Sequence, residues 1–202
     1  MHKMICVVGM AGSGKSEVAE YIKRTKGLGY VRFGQVVLDV IIQEGGKSTE
    51  EREREVREKM RKEHGMAAIA LLNMPKFDEE IKKGDFIGDS IYSWEEYLVL
   101  KGKFGENLIL IAVYAPPTVR YERLAGRAKR HGEDEELRFR SFAKGESEKR
   151  DFAEIENLHK AGPIAMADYT VINEGSLEEL EAKVDEVFEK IYYGDKLLTD
   201  KN

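Results

Sequence analysis

The stretch from Gly9 to Ser16 constrains this chain more than any other. Its residues read Gly-Met-Ala-Gly-Ser-Gly-Lys-Ser and match the pattern Gly-x-x-x-x-Gly-Lys-Ser/Thr. The continuous apolar segment 4–8 precedes it, and the amphipathic segment 16–24 follows. Strand, glycine-rich turn and helix therefore occur in the order that a phosphate-binding loop requires. An ordinary glycine-rich turn without a ligand is the less favoured alternative.

The residue types in this loop fit the binding of a nucleoside triphosphate. Glycines allow backbone N–H groups to approach phosphate oxygens at the start of a helix. Lys15 is expected to reach the β- and γ-phosphates, and the Ser16 hydroxyl to join the shell of Mg²⁺. ATP and Mg²⁺ are thus the predicted cofactors, although the loop does not name an acceptor. The predicted nucleotide-binding residues are Gly9, Ala11, Gly12, Ser13, Gly14, Lys15 and Ser16.

Composition limits the class of protein. With 202 residues, 42% of them hydrophobic, the chain is expected to form a single domain over 1–202. A net charge of −5 argues against broad attraction to nucleic acid and leaves only contacts by local basic clusters open. The chain has one cysteine, Cys6, and no run long enough to span a membrane, which indicates a cytoplasmic protein without a membrane partner. The sequence leaves the oligomeric state open.

Further along the chain, apolar strand patterns alternate with helical ones. Alternation of this kind predicts an α/β fold with parallel strands and right-handed crossovers. A short helix over 66–72 is expected to end at Asn73 and Pro75. The predicted strands are 4–8, 29–33, 85–89, 108–114 and 169–172, and the other predicted helices are 35–43, 48–64, one that is capped by Ser93 and contains Trp94, Tyr97 and Leu98, one from Thr118, one near 151–160 and 176–192.

Charged residues stand where a second part of the site is expected. Asp89 ends the third predicted strand, at the sheet edge where open α/β sheets bind ligands, and is a candidate general base or Mg²⁺ ligand. Arg120, Arg123 and Arg127 are spaced by three and four residues, so they lie on related faces of one helix. They can converge on phosphate, or Arg120 and Arg123 can pair with acids such as Glu122.

The chain resembles the P-loop kinase superfamily of adenylate kinase, other nucleoside monophosphate kinases and dephospho-CoA kinase. It is more closely similar to an archaeal branch of nucleotide-kinase-like proteins. The motifs that carry the resemblance are the loop at 9–16, the segment 57–65, the strand end at Asp89, Ala115-Pro116-Pro117 with the three arginines after it, Arg150-Asp151, and 167–176. Of these motifs, only the loop at 9–16 is highly specific alone.

The resemblance implies a three-layer P-loop NTPase fold, like that of nucleoside monophosphate kinases, with five parallel strands. It implies a helical acceptor-binding insert over 34–84 and a lid over 127–150. Arg123, Arg127 and Arg150 match the lid arginines that clamp a transferring phosphate, so they join Lys15 and Asp89 as candidate catalytic residues. The implied activity is an ATP- and Mg²⁺-dependent phosphotransferase. Its partner is a small nucleotide-like acceptor of the nucleoside monophosphate or dephospho-CoA type.

Two departures from the superfamily pattern concern the acceptor. The segment 34–39 lacks the arginine that commonly grips an acceptor phosphate, and Asp89-Ser90-Ile91-Tyr92 stands where related proteins tend to have Asp-Gly-x-Arg. The possible substitutes are Arg32, Arg57 and Arg61, and Asp39 is a weaker candidate base.

These departures keep a second hypothesis open, an ATP-binding switch or assembly factor with weak ATPase activity and a protein or RNA partner. A guanine-specific switch is disfavoured because the base-reading pattern Asn-Lys-x-Asp does not occur. Residues 173–176 either approach the nucleotide base, as the resemblance implies, or form a strand-to-helix turn capped by Ser176.

Overall fold

A computed structural model describes residues 2–126 and 144–194. Its strands form one parallel sheet in the order β2-β3-β1-β4-β5. This arrangement confirms the predicted α/β fold with five parallel strands. Two of the strands, β2 and β3, are one residue shorter than predicted. The strands are β1 Met4–Val8, β2 Gly29–Arg32, β3 Phe86–Asp89, β4 Leu108–Tyr114 and β5 Tyr169–Ile172.

Helices cover both faces of the sheet. Side chains of β1 alternate between the faces, so Cys6 packs with α2 to α5 while Ile5 and Val7 pack with α1 and α9. This alternation explains the unbroken apolar run of β1, since both of its faces are buried. The helices are α1 Lys15–Lys26, α2 Gln35–Gln43, α3 Glu50–His64, α4 Ala68–Lys83, α5 Trp94–Phe104, α6 Pro117–Ala125, α7 Lys144–Leu158, α8 Ala161–Ala165 and α9 Leu177–Tyr193, with a 3₁₀ turn at Gly105–Asn107.

The prediction of a short helix that ends at Asn73 and Pro75 is wrong, because α4 continues through both residues to Lys83. Pro75 lacks the N–H that would bind the carbonyl of Leu71, a local loss that ordinarily disfavours proline inside a helix. Burial outweighs that loss. Phe77 is fully buried, with its ring centroid 5.1 Å from that of Phe33 and 5.9 Å from that of Phe86. Tertiary packing therefore decides the length of α4.

The other predicted helices agree with the structure to within a few residues, except that α7 begins at Lys144. Ser176 accepts a hydrogen bond from the Glu179 N–H, so its predicted role as an N-cap is confirmed. Helices α2, α3 and α4 all lie between β2 and β3, within the proposed insert 34–84. Most of the predicted lid, 127–143, lies outside the described residues, and the division into insert and lid stays a prediction.

Two other expectations concern the surface and the single cysteine. Among the described residues, no helix combines the length and apolar character needed to cross a membrane. Cys6 is buried in β1, and burial together with nearby Asp89 raises the pKa of its thiol. The thiol is therefore a small apolar core group at neutral pH.

Candidate functional site

The predicted phosphate-binding loop connects β1 to the first turn of α1. Gly14 is the residue that precedes α1, and its φ of 102° lies in the left-handed region that favours glycine. At Gly12, where φ is 80°, a Cβ atom would lie 2.6 Å from the carbonyl oxygen of Arg120. Side chains at these two positions would therefore displace the surroundings of the loop. The first N–H groups of α1 have no partner within the helix and remain available to an anion.

Two side chains from distant parts of the chain hold carbonyl groups of the loop. Arg120 on α6 donates from its NH1 to the carbonyl oxygen of Ala11 at 2.9 Å. Asn173, which follows β5, donates from Nδ2 to the carbonyl oxygen of Ser13 at 2.8 Å. Carbonyl groups that are fixed in this way cannot turn toward a phosphate. The loop is thus preorganised by residues outside its own motif.

Arg120 is buried and forms a two-pronged ion pair with Asp151 on α7. Its NH1 lies 3.0 Å from Oδ1 and its NH2 lies 2.5 Å from Oδ2 of Asp151. The Tyr121 hydroxyl donates to the same carboxylate at 3.0 Å. Of the two predictions for Arg120, contact with phosphate or an ion pair, the structure shows the ion pair. Its acidic partner is Asp151 and not the neighbouring Glu122. Through this pair, α7 is connected to the loop.

Arg123 lies one turn further along α6 and contacts the segment after β5. Its NH1 donates to the carbonyl oxygen of Asn173 at 3.0 Å, and its NH2 donates to Oδ1 of the same residue at 3.3 Å. These contacts orient the amide of Asn173, so that its Nδ2 faces Ser13. The predicted contact of Arg123 with a transferring phosphate stays a prediction. Arg127 lies outside the described residues.

A cleft beside the loop brings together six of the predicted site residues. Lys15, Ser16 and Asp89 meet there because β1 and β3 are adjacent parallel strands whose carboxyl ends share one sheet edge. Arg150 reaches the same cleft from α7. The described residues that line the cleft are Ala11, Gly12, Lys15, Ser16, Glu20, Tyr30, Arg32, Asp89, Ser90, Tyr92 and Arg150.

Two hydrogen bonds fix the carboxylate of Asp89. The Tyr30 hydroxyl donates to Oδ2 at 2.7 Å, and the Ser90 hydroxyl donates to Oδ1 at 2.9 Å. Burial and the charge of Asp89 raise the pKa of Tyr30, so its phenol remains a protonated donor at neutral pH. A carboxylate offers about four lone-pair sites, so Asp89 retains the capacity to accept another hydrogen bond from a ligand.

The segment after Asp89 differs from the pattern of related proteins without losing the shape of the turn. Ser90 has a φ of 76°, which explains why glycine is favoured at this position in the pattern Asp-Gly-x-Arg. Tyr92 occupies the position of the expected arginine and lines the cleft. The Lys160 ammonium lies 5.0 Å from the centroid of its ring. Positive charge is therefore present beside Tyr92 although the arginine is absent.

Arg150 is held by a buried acid. Its Nε donates to Oε1 of Glu154 at 2.9 Å, and the Lys160 Nζ donates to Oε2 of the same carboxylate at 2.6 Å. Burial favours the neutral acid, yet Lys160 and Arg150 lower the pKa of Glu154 to about 2. Glu154 is therefore ionised at neutral pH. This carboxylate connects Lys160, which is 2% exposed, with the arginine at the cleft.

Lys15 is partly buried and has no acidic partner at hydrogen-bond distance among the described residues. Its Nζ donates to the carbonyl oxygen of Met10 at 3.0 Å. Burial, together with the positive charge of Lys160, lowers the pKa of Lys15 to about 7. The Ser13 hydroxyl is also buried without a hydrogen-bond partner among the described residues. A polyphosphate chain fits these groups, because it supplies both negative charge and acceptor oxygens.

We expect nucleotide binding to be coupled to proton uptake by Lys15. At pH 8.5 the free protein holds this amine mostly neutral, and bound phosphates raise its pKa, so up to about one proton is taken up per nucleotide. At pH 6 the amine is already charged and this uptake disappears. Calorimetric titration with ADP in two buffers of different ionisation enthalpy measures the uptake at each pH. Equal uptake at pH 8.5 in the wild type and in Lys15→Met would contradict the expectation.

The protein groups available to Mg²⁺ are few and suited to that ion. Ser16 and Asp89 offer a hydroxyl and a carboxylate at the same cleft. Within residues 2–126 and 144–194, no cluster of three His, Cys, Asp or Glu side chains could hold a metal by itself. Mg²⁺ commonly uses one or two protein oxygens and completes its shell with water and substrate phosphates. The residues therefore fit a metal that enters with the nucleotide.

Comparison with known proteins identifies the family. A family model described as an AAA domain matches residues 5–155. A UPF0200 protein of Thermococcus gammatolerans is 35% identical over 193 residues, which cover 95% of this chain and 96% of that protein. Another UPF0200 protein, from Sulfurisphaera tokodaii, is 33% identical over 94% of this chain and 97% of its own length. The chain belongs to the UPF0200 family.

The solved structures similar to this UPF0200 protein include small-molecule kinases. Shikimate kinase from Aquifex aeolicus has a TM-score of 0.53 and 20% identity, over 95% of this chain and 99% of the other. Gluconokinase from Sinorhizobium meliloti has a TM-score of 0.53 and 17% identity, over 95% and 96% of the two chains. At these identities the likeness establishes a P-loop kinase-like fold. The finer resemblance to dephospho-CoA kinase and adenylate kinase stays a prediction.

The contacts that several residues make in the site were not predicted from sequence. Asn173 and Arg120 support the loop, Tyr30 orients Asp89, and Glu154 with Lys160 holds Arg150. A signal for Tyr30 existed, since a tyrosine on the strand beside Asp89 can reach its carboxylate once the strand order is known. Arg150 and Glu154 are also spaced by four residues on one helix. For the loop supports, no local pattern was available.

Proposed function

We propose that this UPF0200 protein is an ATP- and Mg²⁺-dependent phosphotransferase that moves the γ-phosphoryl group to a small nucleotide-like acceptor. The observation that carries the proposal is the meeting of Lys15, Ser16, Asp89 and Arg150 in one cleft. A loop for the donor, a carboxylate and a second cation are the parts that phosphoryl transfer requires. The names of the similar solved kinases support the same class of reaction.

The residues of the cleft have distinct roles in this reaction. The loop N–H groups and Lys15 bind the donor phosphates, and Arg150 neutralises charge on the transferring group. Ser16 would hold Mg²⁺ in part, and the ion would supply further neutralisation of the phosphate oxygens when bound. The acceptor oxygen forms a bond to the γ-phosphorus while the bond to the β,γ-bridging oxygen breaks, which releases ADP.

The presence of a carboxylate, Asp89, in the cleft supports an acceptor that reacts through a hydroxyl group. A hydroxyl must lose its proton on attack, and the Asp89 carboxylate is placed to receive it. A phosphate acceptor needs little deprotonation, and the arginine that commonly grips such a group is absent from α2, where Asp39 instead pairs with Lys76 at 3.0 Å. A hydroxyl of the dephospho-CoA type therefore agrees better with this cleft than does a nucleoside monophosphate.

The substitution Asp89→Asn tests the role of the carboxylate. The amide keeps the size of the side chain but cannot take up a proton, so we expect kcat to fall about 10²- to 10⁴-fold. Steady-state kinetics with the acceptor saturating measures the change. Asp39→Asn is the matched control, since Asp39 is the weaker candidate base and is paired with Lys76. A larger loss in Asp39→Asn than in Asp89→Asn would reverse the assignment.

A screen for phosphorylated products tests the activity itself. The purified protein is incubated with Mg²⁺ and γ-labelled ATP together with nucleosides, nucleoside monophosphates or dephospho-CoA, and transfer of label is followed. A labelled acceptor supports the kinase. Hydrolysis of ATP without any labelled acceptor, together with ATP-dependent binding of a protein or RNA, would instead support the switch or assembly factor.

A further inference from the structure

Arg32 lies at the far end of the cleft from the phosphate-binding loop. In the parallel register, Val7 of β1 pairs with Asp89 of β3, and Asp89 pairs with Arg32 of β2. The end of β1, from which the loop begins, Asp89 on β3 and Arg32 on β2 therefore follow one another along the edge of the sheet. Neighbouring strands are spaced by about 5 Å. Arg32 is thus one strand further from the donor than Asp89, on the side where an acceptor must lie.

The guanidinium of Arg32 makes no hydrogen bond and no ion pair with any residue in the described parts of the chain. The other two candidate substitutes are placed differently. Arg57 donates to Glu53 at 3.2 Å, and Arg61 is near enough to Glu96 for the charge of that acid to oppose the effect of burial on the pKa of Arg61. Neither is among the residues that line the cleft. Of the three arginines, the geometry selects Arg32.

Space for a ligand continues beyond Arg32. A neighbouring groove of about 340 Å³ shares Glu20, Tyr30 and Arg32 with the cleft. Its size falls within the usual range for small-molecule sites. Lys23 of α1 and Lys76 of α4 also line it. The body of an acceptor therefore has room on the outer side of β2, in a groove whose three cationic side chains are matched in number by the acids Glu20, Glu79 and Glu80.

We propose that Arg32 binds an anionic group of the acceptor, either a carboxylate or a phosphate. The acceptor then carries a hydroxyl beside Asp89 and an anion on the side of β2, where Arg32 pairs with Asp89 in the register of the sheet. Arginine suits this role because its planar fork matches both kinds of anion. The inference rests on the proposed phosphoryl transfer and names the class of acceptor: a small hydroxyl compound with an acidic group.

Anion titrations of the nucleotide-loaded protein test this site. With a non-hydrolysable ATP analogue and Mg²⁺ occupying the loop, inorganic phosphate and malonate are titrated separately and followed by NMR. We expect saturable binding of at least one anion, with a Kd on the order of 1 mM. Arg32→Ala should weaken it about tenfold or more, which corresponds to the loss of a charged hydrogen bond. The tighter of the two anions identifies the acidic group.

Arg24→Ala on α1 is the matched control, since Arg24 is exposed and pairs with Glu181 at 3.1 Å. It should leave anion binding unchanged, while Glu20→Gln, which removes a negative charge from the same cleft, should strengthen it. Thermal unfolding establishes that each variant is folded. Absence of saturable binding to the wild type, or equal binding by Arg32→Ala, would overturn the inference. If Arg32-dependent binding is found but no acceptor is phosphorylated, the site stands and the proposed kinase activity fails.

Discussion

Replacement of Lys15 by alanine is expected to lower kcat/KM for phosphoryl transfer by about 10³-fold. The side chain lines the cleft at the loop, and among the described residues it has only the Met10 carbonyl as a hydrogen-bond partner. When donor phosphates bind, this amine becomes the nearest fixed positive charge to the transferring group. Its removal leaves developing negative charge without that stabilisation. Initial rates of ADP formation in the presence of acceptor measure the loss.

The control for this experiment is Lys82→Ala, which removes an exposed lysine near the end of α4. It likewise replaces one lysine by alanine but lies away from the cleft. Its rate should equal that of the wild type. If Lys15→Ala bound ATP normally and transferred phosphate at the wild-type rate, the loop would not be a donor site. The proposed function would then have no support.

Replacement of Asp151 by alanine is expected to lower the free energy of unfolding by about 3–5 kcal/mol. Asp151 accepts both NH groups of the buried Arg120 and a hydrogen bond from Tyr121. Without the carboxylate, a guanidinium remains charged in a site where its side chain is 6% exposed. Such an uncompensated charge is far more costly than the loss of a surface pair. Urea denaturation followed by circular dichroism measures the change.

Two variants distinguish this effect from loss of helix packing. Glu156→Ala removes an exposed acid from the same helix and should change stability by less than about 0.5 kcal/mol. The double substitution Arg120→Met with Asp151→Leu removes both charges and should recover much of the stability lost in Asp151→Ala. If the double variant were less stable than the single one, the cost would come from packing and from the loop contact of Arg120 instead of the isolated charge.

The sheet could be predicted from sequence because its signals are local. An apolar run before the loop and the run Leu108–Tyr114 each indicate a buried strand without knowledge of any partner. The length of α4 could not be predicted in the same way. Pro75 is a strong local signal for a helix end, whereas the packing of Phe77 against Phe33 and Phe86 depends on residues far away in the chain.

The same distinction applies to the site. Lys15, Ser16 and Asp89 were predicted because a motif and a strand end place them at one edge of a parallel sheet. The supports of the loop join residues 109 and 160 positions apart, Arg120 to Ala11 and Asn173 to Ser13. Contacts between residues so far apart in the chain produce no periodic pattern in a single sequence, so they could not be predicted from it.

Helix α7 contacts both halves of the reaction site within one turn. Asp151 binds Arg120, which in turn donates to the carbonyl of Ala11 in the phosphate-binding loop. Arg150 lines the cleft and donates to Glu154. Successive residues of a helix point about 100° apart, so one rigid element fixes the angle between these two contacts. An insertion of one residue between them would turn one side chain out of place. We therefore expect α7 to vary in surface composition among functional variants, but not in length between its loop contact and its cleft contact.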